Sequence, residues 1–466
     1  MIYRVTLNGK VYEVEVEKGE AMIKAEFDAA GIVREWDART GEIRTIPAAV
    51  ENGKVRLSLE LKRWESKIIS IERGSKEFNV KKFGVRGKGA VETAAIQAVI
   101  DRAASEGGGT VVFPAGKYLS GALFFPRGVN LRVEKNAFLQ GTANPDDYPV
   151  ISTRFEGIER FWKCAFLNFD HSEGVSVSGQ GTIDGNGLEW NNIPFGTSGR
   201  PRLICLTGCD GGSITGLHLQ NQASWCVHVL YTRGFTIDGL DIRAIQYIPS
   251  SDGIDIDSCS DVYIARTYIS VHDDDISIKS GKDEDGRRVG RPSENILIED
   301  CHFAYGHGAV TMGSEISGGI RNVTARRCRV DGDNWGPIRF KSQPPRGGWI
   351  ENITFEDFEI ADTRSILDVN LEWLSGRDRG TQPVYADPVT QLRNVVIRRV
   401  HGKARSLGLM NGFGVSPLGE DAFHFEDCVF EAETGLNIRN ADAVRFDGVQ
   451  LIVHEGPTFL PVAQTP

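Results

Sequence analysis

Four segments in the second half of the chain carry acidic, basic and histidine side chains at matching positions. They read SSDGIDID, DDDISIKSG, GHGAVTMGSE and GPIRFKS. Each contains a pair of apolar residues on which the segments can be aligned, namely Ile254/Ile256, Ile276/Ile278, Val310/Met312 and Ile338/Phe340. Because side chains alternate along a strand, residues at equal distances from these pairs share one face of a sheet.

This alignment brings carboxylates together. Asp252 and Asp274 both lie two residues before the first apolar position, and Asp273 and His307 both lie three before. Neighbouring strands are about 4.8 Å apart, so Asp252 and Asp274 would lie side by side. Such carboxylates repel each other unless a substrate, a cation or a shared proton compensates. The pattern predicts an acid–base site, although aspartates also end strands in solenoids for purely structural reasons.

Two cations follow on the next segment. Arg339 and Lys341 occupy positions one and three after the first apolar residue, which face outward. Arginine suits bidentate contact with a carboxylate and lysine acts as a point charge, so the pair suits an anionic ligand. A solvated strand face is the alternative interpretation. Trp335 and Trp225 are candidates for stacking on a ligand ring or for filling the edge of a coil.

A regular repeat supplies the strands that would position these side chains. An apolar residue is followed by others three and five positions later at eight places, mostly 21 to 30 residues apart. These begin at Ile214, Ile237, Ile264, Ile298, Ala325, Phe355, Phe425 and Phe446. A period of this length, with β-branched residues and Gly, Asn and Asp turns, predicts a β-solenoid.

Other segments complete the predicted organisation. Short alternating runs in the first seventy-odd residues predict a small β-sandwich-like domain over 1–78. A helix is expected near residues 92–104, with Thr93 as its N-cap, and it would cover the amino-terminal end of the solenoid over 79–466. Cys301, Cys328 and Cys428 share one position of the repeat, which predicts free thiols in the interior.

At these residues the sequence resembles glycoside hydrolase family 28, the polygalacturonases and their relatives. That family carries NTD, DD, GHG and RIK motifs in this order, and the resemblance covers roughly Lys81 to the C-terminus. The corresponding residues here are Ser250-Ser251-Asp252, Asp273-Asp274, Gly306-His307-Gly308 and Arg339-Phe340-Lys341. The asparagine of the first motif is missing, and Asp275 stands where the family often has Cys.

The resemblance implies a right-handed parallel β-helix and an inverting hydrolase that cleaves α-linked galacturonic acid in pectin-derived chains. Asp273 would be the general acid, Asp252 and Asp274 would activate the water, and His307 would tune the proton of Asp273.

The resemblance also bears on substrate binding. Arg339 and Lys341 would bind the substrate carboxylate, and Trp335 is also predicted to bind the substrate. Three segments, KSGKDEDGRRVGRPSEN, GSEISGG and RGGWIEN, resemble exo-acting bacterial members.

Several alternatives remain open at this point. A rhamnogalacturonan hydrolase or an α-rhamnosidase of the same family would share the motifs. A calcium-dependent pectate lyase also uses a β-helix with stacked acids, but it would need an arginine base. A glycan-binding β-helix adhesin would not require three clustered acids.

Net charge and hydrophobicity exclude some classes of binding partner. The net charge of −10 argues against nucleic-acid binding, which depends on a basic face. No run approaches 18 apolar residues, so no membrane span is expected. The first residues lack the features of a secretion signal, which favours a cytoplasmic protein, with a secreted or periplasmic protein whose signal was removed as the alternative. We expect a pectic oligo- or polysaccharide as partner and no cofactor or metal, while the sequence does not indicate an oligomeric state.

Overall fold

The computed structural model describes residues 76–192, 199–245, 247–374 and 388–460 fully, and eight strands of the first 75 residues by their backbone. The chain divides into two compact units, Met1–Lys76 and Glu77–Pro466. The predicted boundary after residue 78 stays a prediction.

The amino-terminal unit consists of antiparallel strands. Its strands are Ile2–Leu7, Lys10–Glu15, Glu20–Phe27, Gly31–Trp36, Ile43–Thr45, Ala49–Glu51, Lys54–Lys62 and Ile68–Arg73. The first two pair with each other, the third and sixth pair with the seventh, and the fifth and eighth pair with the fourth. Their side chains lie outside the described residues, so packing into a sandwich stays a prediction.

The larger unit is built from long parallel sheets. Among the described residues, one sheet has thirteen strands. They are Glu77–Asn79, Gly109–Phe113, Val129–Val133, Glu173–Gly179, Asp210–Thr215, Arg233–Asp238, Ser260–Ala265, Ser293–Glu299, Ile320–Arg326, Trp349–Glu356, Gln391–Arg398, Phe423–Glu426 and Arg445–Asp447.

The second sheet has twenty-one strands within the same described ranges, and each pairs in parallel with its counterpart one coil away. They are Lys88–Val91, Gly116–Ser120, Leu123–Phe125, Ala137–Gly141, Leu167–Asp170, Thr182–Asp184, Ile204–Thr207, His218–Gln220, Val227–Leu230, Asp241–Arg243, Ile254–Asp257, Tyr268–Ser270, Ile276–Lys279, His302–Tyr305, Val310–Met312, Arg329–Val330, Ile338–Lys341, Glu359–Asn370, His401–Asn411, Val429–Arg439 and Gln450–Leu460. This unit is the right-handed parallel β-helix that the sequence predicted.

The apolar repeat forms the interior stack of the β-helix. Ile214 pairs with Ile237, and the column continues through Ile264 and Ile298 to Ala325, Phe355, Ile397, Phe425 and Phe446. The predicted repeat missed the coil of Ile397 because Gly402 stands where the pattern requires an apolar residue. A Cβ at Gly402 would lie 2.7 Å from Ile366 Cδ1, so the neighbouring coil fills that space.

The predicted helix extends from Thr93 to Ser105 and packs against the first strands of the β-helix. Thr93 is its first helical residue, so the prediction that Thr93 is the N-cap was wrong, and Glu92 takes that position. Thr93 Oγ1 instead accepts a hydrogen bond of 2.8 Å from the Gly121 amide.

Shorter elements and buried thiols complete the unit. The hairpin strands Val150–Phe155 and Ile158–Lys163 pair antiparallel. The remaining helices are Gly187–Asn191 and Asp283–Val289, with 3₁₀ turns at Val80–Phe83 and Pro145–Asp147. All eight cysteines are free and buried, which confirms their predicted state. Among the helices that the structure describes, none has the length and apolar character needed to cross a membrane.

Candidate active site

The four aligned segments lie on adjacent coils in the predicted register. Ile254 pairs with Ile276, Ile276 with Val310, and Val310 with Ile338. These apolar side chains are fully buried in the core, so the alternate side chains of the same strands lie on the outer face. The polar columns inferred from the sequence therefore meet on one surface of the β-helix.

Asp252, Asp273 and Asp274 form one cluster. Each can offer an oxygen atom, and these atoms all lie within 4.8 Å of one another. The side chain of Asp273 is 27% exposed, whereas those of Asp252 and Asp274 are 4% and 1% exposed. Asp273 is thus the acid that a ligand on the surface can reach most directly.

Asp274 is held by cations. Its carboxylate accepts hydrogen bonds from Lys341 Nζ at 2.5 Å, Arg339 Nη1 at 3.2 Å and Thr311 Oγ1 at 3.1 Å. Burial alone would raise the pKa of Asp274, but the charges of Lys341 and Arg339 outweigh burial and lower this pKa below its usual value. Asp274 is therefore an ionised carboxylate, ready to accept a proton.

Asp252 has a weaker electrostatic environment. Its nearest cation is Lys279, whose Nζ lies 3.7 Å from Asp252, 3.3 Å from Asp255 and 3.5 Å from Glu315. Burial, followed by the charges of Asp255 and Asp273, raises the pKa of Asp252 well above its usual value. Burial also raises the pKa of Asp255 to about 7. The pKa values of Asp252 and Asp255 are therefore raised, whereas Lys279 and other nearby cations outweigh burial and lower the pKa of Glu315.

Asp273 is paired with His307. His307 Nδ1 lies 3.2 Å from Asp273 Oδ1, which also accepts a hydrogen bond of 3.0 Å from the Asp274 amide. Burial would raise the pKa of Asp273, but the hydrogen bond and charge of His307, followed by Lys341 and Arg339, lower it. The contact with His307 therefore favours the ionised form of Asp273 in the free protein.

Trp335 supports His307 and remains 37% exposed. The rings of Trp335 and His307 are stacked with centroids 3.9 Å apart, and the Arg364 guanidinium lies 4.5 Å from the Trp335 centroid. Trp225 is buried, with Phe155 stacked at 4.6 Å and Lys279 Nζ 4.3 Å from its ring. Trp225 therefore fills the interior beside the site, whereas the substrate-binding role of Trp335 stays a prediction.

The two predicted substrate-binding cations are both buried and ion-paired. Arg339 bridges Asp274 and Asp368, with Nε 2.9 Å from the second carboxylate, and Lys341 is paired with Asp274. Divalent cations bind such carboxylate clusters, but Lys341 and Arg339 already compensate Asp274 here. The substrate-binding role of both residues stays a prediction.

Sequence reasoning missed Lys279 and Asp255. They stand three and one residues after the first apolar position of their segments, the positions that identified Lys341 and Arg339. The strand register confirms this equivalence. Asp255 pairs with Ser277, Ser277 pairs with Thr311, and Thr311 pairs with Arg339, so Asp255 and Arg339 occupy the same column. The same alternation rule, applied to all four segments, would have found them.

The hairpin Val150–Lys163 closes the side of the cluster towards the N-terminus. Arg154 from this hairpin is buried, and its Nη1 lies 2.9 Å from Asp257. Arg202 Nη1 donates a 3.1 Å hydrogen bond to the Arg154 carbonyl. Arg154 and Arg202 are both fully buried, so the hairpin packs closely on the described coils at this side.

The tip of this hairpin is fixed on a later loop. The Lys282 amide donates a 2.8 Å hydrogen bond to the Gly157 carbonyl. A Cβ at Gly157 would lie 2.7 Å from Lys282 and 2.8 Å from Glu315 Cγ, so only glycine allows this approach. Glu159 accepts hydrogen bonds from Arg288 at 2.5 Å and Tyr231 at 2.8 Å. These contacts bring the hairpin beside a carboxylate that faces Lys279.

The opposite side of the cluster is open. A groove of about 360 Å³ follows the strands Glu359–Asn370, His401–Asn411 and Val429–Arg439. Its lining residues are Ser365, Leu367, Asp368, Ser406, Gly408, Leu409, Asn437, Arg439 and Leu460. Asp368 links this groove to Arg339, so the groove begins at the acid cluster.

Comparisons with known proteins find a family model and several relatives that match this chain. Residues 112–411 match the model of the glycosyl hydrolases family 28. A probable polygalacturonase from Vitis vinifera is 32% identical over 380 residues, which are 78% of this chain and 76% of that protein. An exo-poly-alpha-D-galacturonosidase from Dickeya chrysanthemi is 24% identical over 333 residues, 60% of this chain and 54% of that protein.

Solved structures share the fold. A hyperthermoactive exopolygalacturonase from Thermotoga maritima superposes with a TM-score of 0.70 at 25% identity, covering 80% of this chain and 92% of that chain. A family 28 exopolygalacturonase from Yersinia enterocolitica gives a TM-score of 0.66 at 19% identity, covering 93% of this chain and 84% of that chain.

Proposed function

Because the chain belongs to glycosyl hydrolases family 28, we propose that it removes α-linked galacturonic acid from one end of pectin-derived chains, with inversion at the anomeric carbon. The observation that carries this proposal is the cluster of three carboxylates, His307 and two cations on adjacent coils, closed on one side and open on the other.

The carboxylates divide the two tasks of glycoside hydrolysis. One acid must protonate the leaving oxygen, and in an inverting enzyme a second carboxylate must activate the attacking water. The acid oxygens lie within 4.8 Å of one another, which is shorter than the usual separation in inverting enzymes, so inversion is proposed from the family and not from this distance. Asp273 is the exposed member and is assigned the acid role. Asp274 is ionised and is assigned the base role. Asp252 was expected to share this role, but its raised pKa means that it would first have to lose its own proton.

The charge of the substrate would itself prepare the acid. In the free protein His307, Lys341 and Arg339 favour the ionised form of Asp273. A uronate carboxylate placed near Lys341 and Arg339 would offset their charges and raise the pKa of Asp273. Asp273 would then hold the proton that general acid catalysis requires.

The contrast between the two sides of the cluster supports exo cleavage. Among the described residues, the buried contact of Arg154 with Asp257 and the packing of Gly157 against Glu315 place the hairpin beside the cluster, where it would obstruct a polymer. The groove along Asp368 and Asn437 can hold the rest of the substrate. A chain would therefore enter by one end, and its terminal sugar would occupy the closed side.

Product analysis on defined oligogalacturonides tests both activity and cleavage mode. We expect galacturonic acid as the earliest product, with the remaining chain shortened by one unit at a time. Asp273→Asn, prepared in parallel, identifies any contaminating hydrolase. Early appearance of internal fragments would contradict exo cleavage, and inactivity on every galacturonide would contradict the proposal as a whole.

One observation favours a second candidate. Arg339 and Lys341 are already paired with Asp274 and Asp368, so a neutral terminal sugar such as rhamnose would leave these pairs intact. A rhamnogalacturonan hydrolase or α-rhamnosidase would release its product from rhamnogalacturonan fragments and not from oligogalacturonides. The same product analysis on both substrates separates the two functions.

A further inference from the structure

Asp275 and Asn334 form a buried polar contact beside the active site. Asp275 directly follows Asp274, and Asn334 directly precedes Trp335. Both side chains are fully buried, and Asn334 Nδ2 donates a 2.9 Å hydrogen bond to Asp275 Oδ2. Neither residue touches the reacting groups in the mechanism given above.

The other oxygen atom of each side chain lacks a partner. Asp275 Oδ1 and Asn334 Oδ1 are both buried without a hydrogen bond in the part of the chain that the structure describes. Two acceptors cannot bond to each other, and an unmade hydrogen bond carries the full cost of desolvation. A proton on Asp275 Oδ1 would turn it into a donor and would satisfy both atoms in one step.

The surroundings of Asp275 favour this proton. A Cβ at Gly306 would lie 2.6 Å from Asp275 Oδ2 and 2.7 Å from Oδ1, so the carboxyl group packs directly on backbone. Gly253 faces the Asp275 carbonyl from the preceding coil. Burial, followed by the negative charge of Asp274, raises the pKa of Asp275 well above its usual value, and Asn334 opposes this only in part.

We propose that Asp275 and Asn334 form a neutral acid–amide pair with two hydrogen bonds, and that this pair holds Trp335 against His307. The Trp335 amide donates a 3.0 Å hydrogen bond to the Gly306 carbonyl, so the coil of Asn334 is joined to the coil of His307 beside the pair. Asp275 and Asn334 are positioning residues, since they act through Trp335 and His307 on Asp273.

The neutral form has an electrostatic purpose. An ionised Asp275 would add a further negative charge beside Asp273 and Asp274, and would oppose the ionised state of Asp274. A protonated carboxyl group keeps the geometry without that charge. The effect on catalysis rests on the proposed function, whereas the protonation of Asp275 does not.

Infrared spectroscopy tests the proton without any substrate. The carbonyl stretch of protonated carboxyl groups should appear at neutral pH in the parent protein, and the difference spectrum between the parent and Asp275→Asn should show the loss of one component of this band. A spectrum without this difference would overturn the proposal, because Asp275 would then be ionised or bridged by water. If the band is present and the parent protein fails to hydrolyse galacturonides, the proposed function fails and the acid–amide pair stands.

Kinetics of two variants tests positioning. Asp275→Asn preserves two hydrogen bonds as an amide–amide pair, so kcat should stay within about threefold of the parent value. Asp275→Val removes both bonds, and kcat should fall about 10- to 100-fold with KM little changed, as expected for a small misplacement of a catalytic group. Equal kcat values for Asp275→Val and the parent, or equal damage in both variants, would contradict a positioning role.

A third variant tests the proposal if Asp275→Val does not fold. Asn334→Asp places two carboxyl groups in the pair, which can share one proton and retain one strong hydrogen bond. The second carboxyl ionises as pH rises, so the alkaline limb of the kcat profile should move to lower pH. A profile identical to that of the parent would contradict the proposal.

Discussion

The surroundings of Lys341 and Lys279 show how neighbouring coils give the same residue type opposite properties. Lys341 serves Asp274, which also has Arg339, so two cations face one catalytic carboxylate. Lys279 is shared by Asp252, Asp255 and Glu315, so one cation faces three carboxylates. Burial is nearly complete on both sides, and it cannot account for the difference.

The pKa directions follow the ratio of cations to acids. The pKa of Asp274 is lowered because two cations outweigh burial, and the pKa of Asp252 is raised because burial and two neighbouring acids outweigh Lys279. Adjacent carboxylates whose pKa values are driven apart are the usual basis of acid–base catalysis. Asp274, beside Lys341, is therefore assigned to accept a proton, whereas Asp252 and Asp255, beside Lys279, tend to hold protons.

The largest expected loss of kcat follows from replacing Asp273, the acid that lies between the Lys341 and Lys279 sides. Asp273→Asn should lose about 10²- to 10⁴-fold in kcat, the usual contribution of general acid catalysis. Thermal unfolding should match the parent protein, because the side chain is partly exposed and the amide keeps its size. Kinetics on oligogalacturonides measures the effect. Near-normal turnover would mean that the proton comes from the Lys279 side, with Asp252 as its donor.

The comparison also shows what the sequence could reveal. Strand alternation placed Asp252, Asp273, Asp274 and His307 on adjacent coils, because register follows directly from the apolar pairs. The same rule implied Asp255 and Lys279, which were overlooked because the search began from motifs. Their effect on pKa, however, depends on distances that no alignment provides.

Other features were beyond sequence reasoning for a physical reason. Arg154 meets Asp257 across 103 residues of sequence, and no periodic pattern connects a hairpin to such a partner. The coil of Ile397 escaped detection because Ile366 from another coil fills the space left by Gly402. The fold was predictable because it repeats, whereas the closed end was not, because it is built once.

Removing Lys279 should lower the free energy of unfolding, and this loss should be larger than the loss of binding free energy expected for Lys341→Ala. Lys279→Met leaves three buried carboxylates without their shared cation, and breaking a buried ion pair costs about 3–5 kcal/mol. Denaturant unfolding at neutral pH measures the loss. Lys135→Met, at an exposed lysine, is the matched control and should change little. A loss no larger than that of the control would show that the carboxylates at Lys279 are neutral without it.

Lys341→Ala should act on substrate and base together. A charge-assisted hydrogen bond contributes about 1.5–3 kcal/mol, which corresponds to roughly 10- to 100-fold in kcat/KM. Without Lys341 the pKa of Asp274 rises, so the acidic limb of the kcat/KM profile should move to higher pH.

A methyl-esterified substrate separates the two effects of Lys341. It lacks the carboxylate charge, so the binding part of the loss should disappear while the shift of the acidic limb remains. Lys403→Ala, whose lysine is exposed and paired with Glu431, serves as the control. Equal losses on charged and esterified substrates would show that Lys341 does not bind the uronate, and would favour a neutral terminal sugar.

The smallest expected effect is on the pH dependence of the free energy of unfolding, and it comes from Asp255 beside Lys279. Asp255 has a pKa of about 7 in the folded protein and an ordinary carboxyl pKa when unfolded, because burial penalises its charge. Between roughly pH 4 and pH 7 the folded state therefore binds more protons than the unfolded state, so this group destabilises the protein as pH rises. Asp255→Asn removes the titration, and its free energy of unfolding minus that of the parent should increase across this interval and then stay constant. Denaturant unfolding of both proteins at several pH values measures the difference, and a difference that does not change with pH would mean that Asp255 is ionised beside Lys279 throughout.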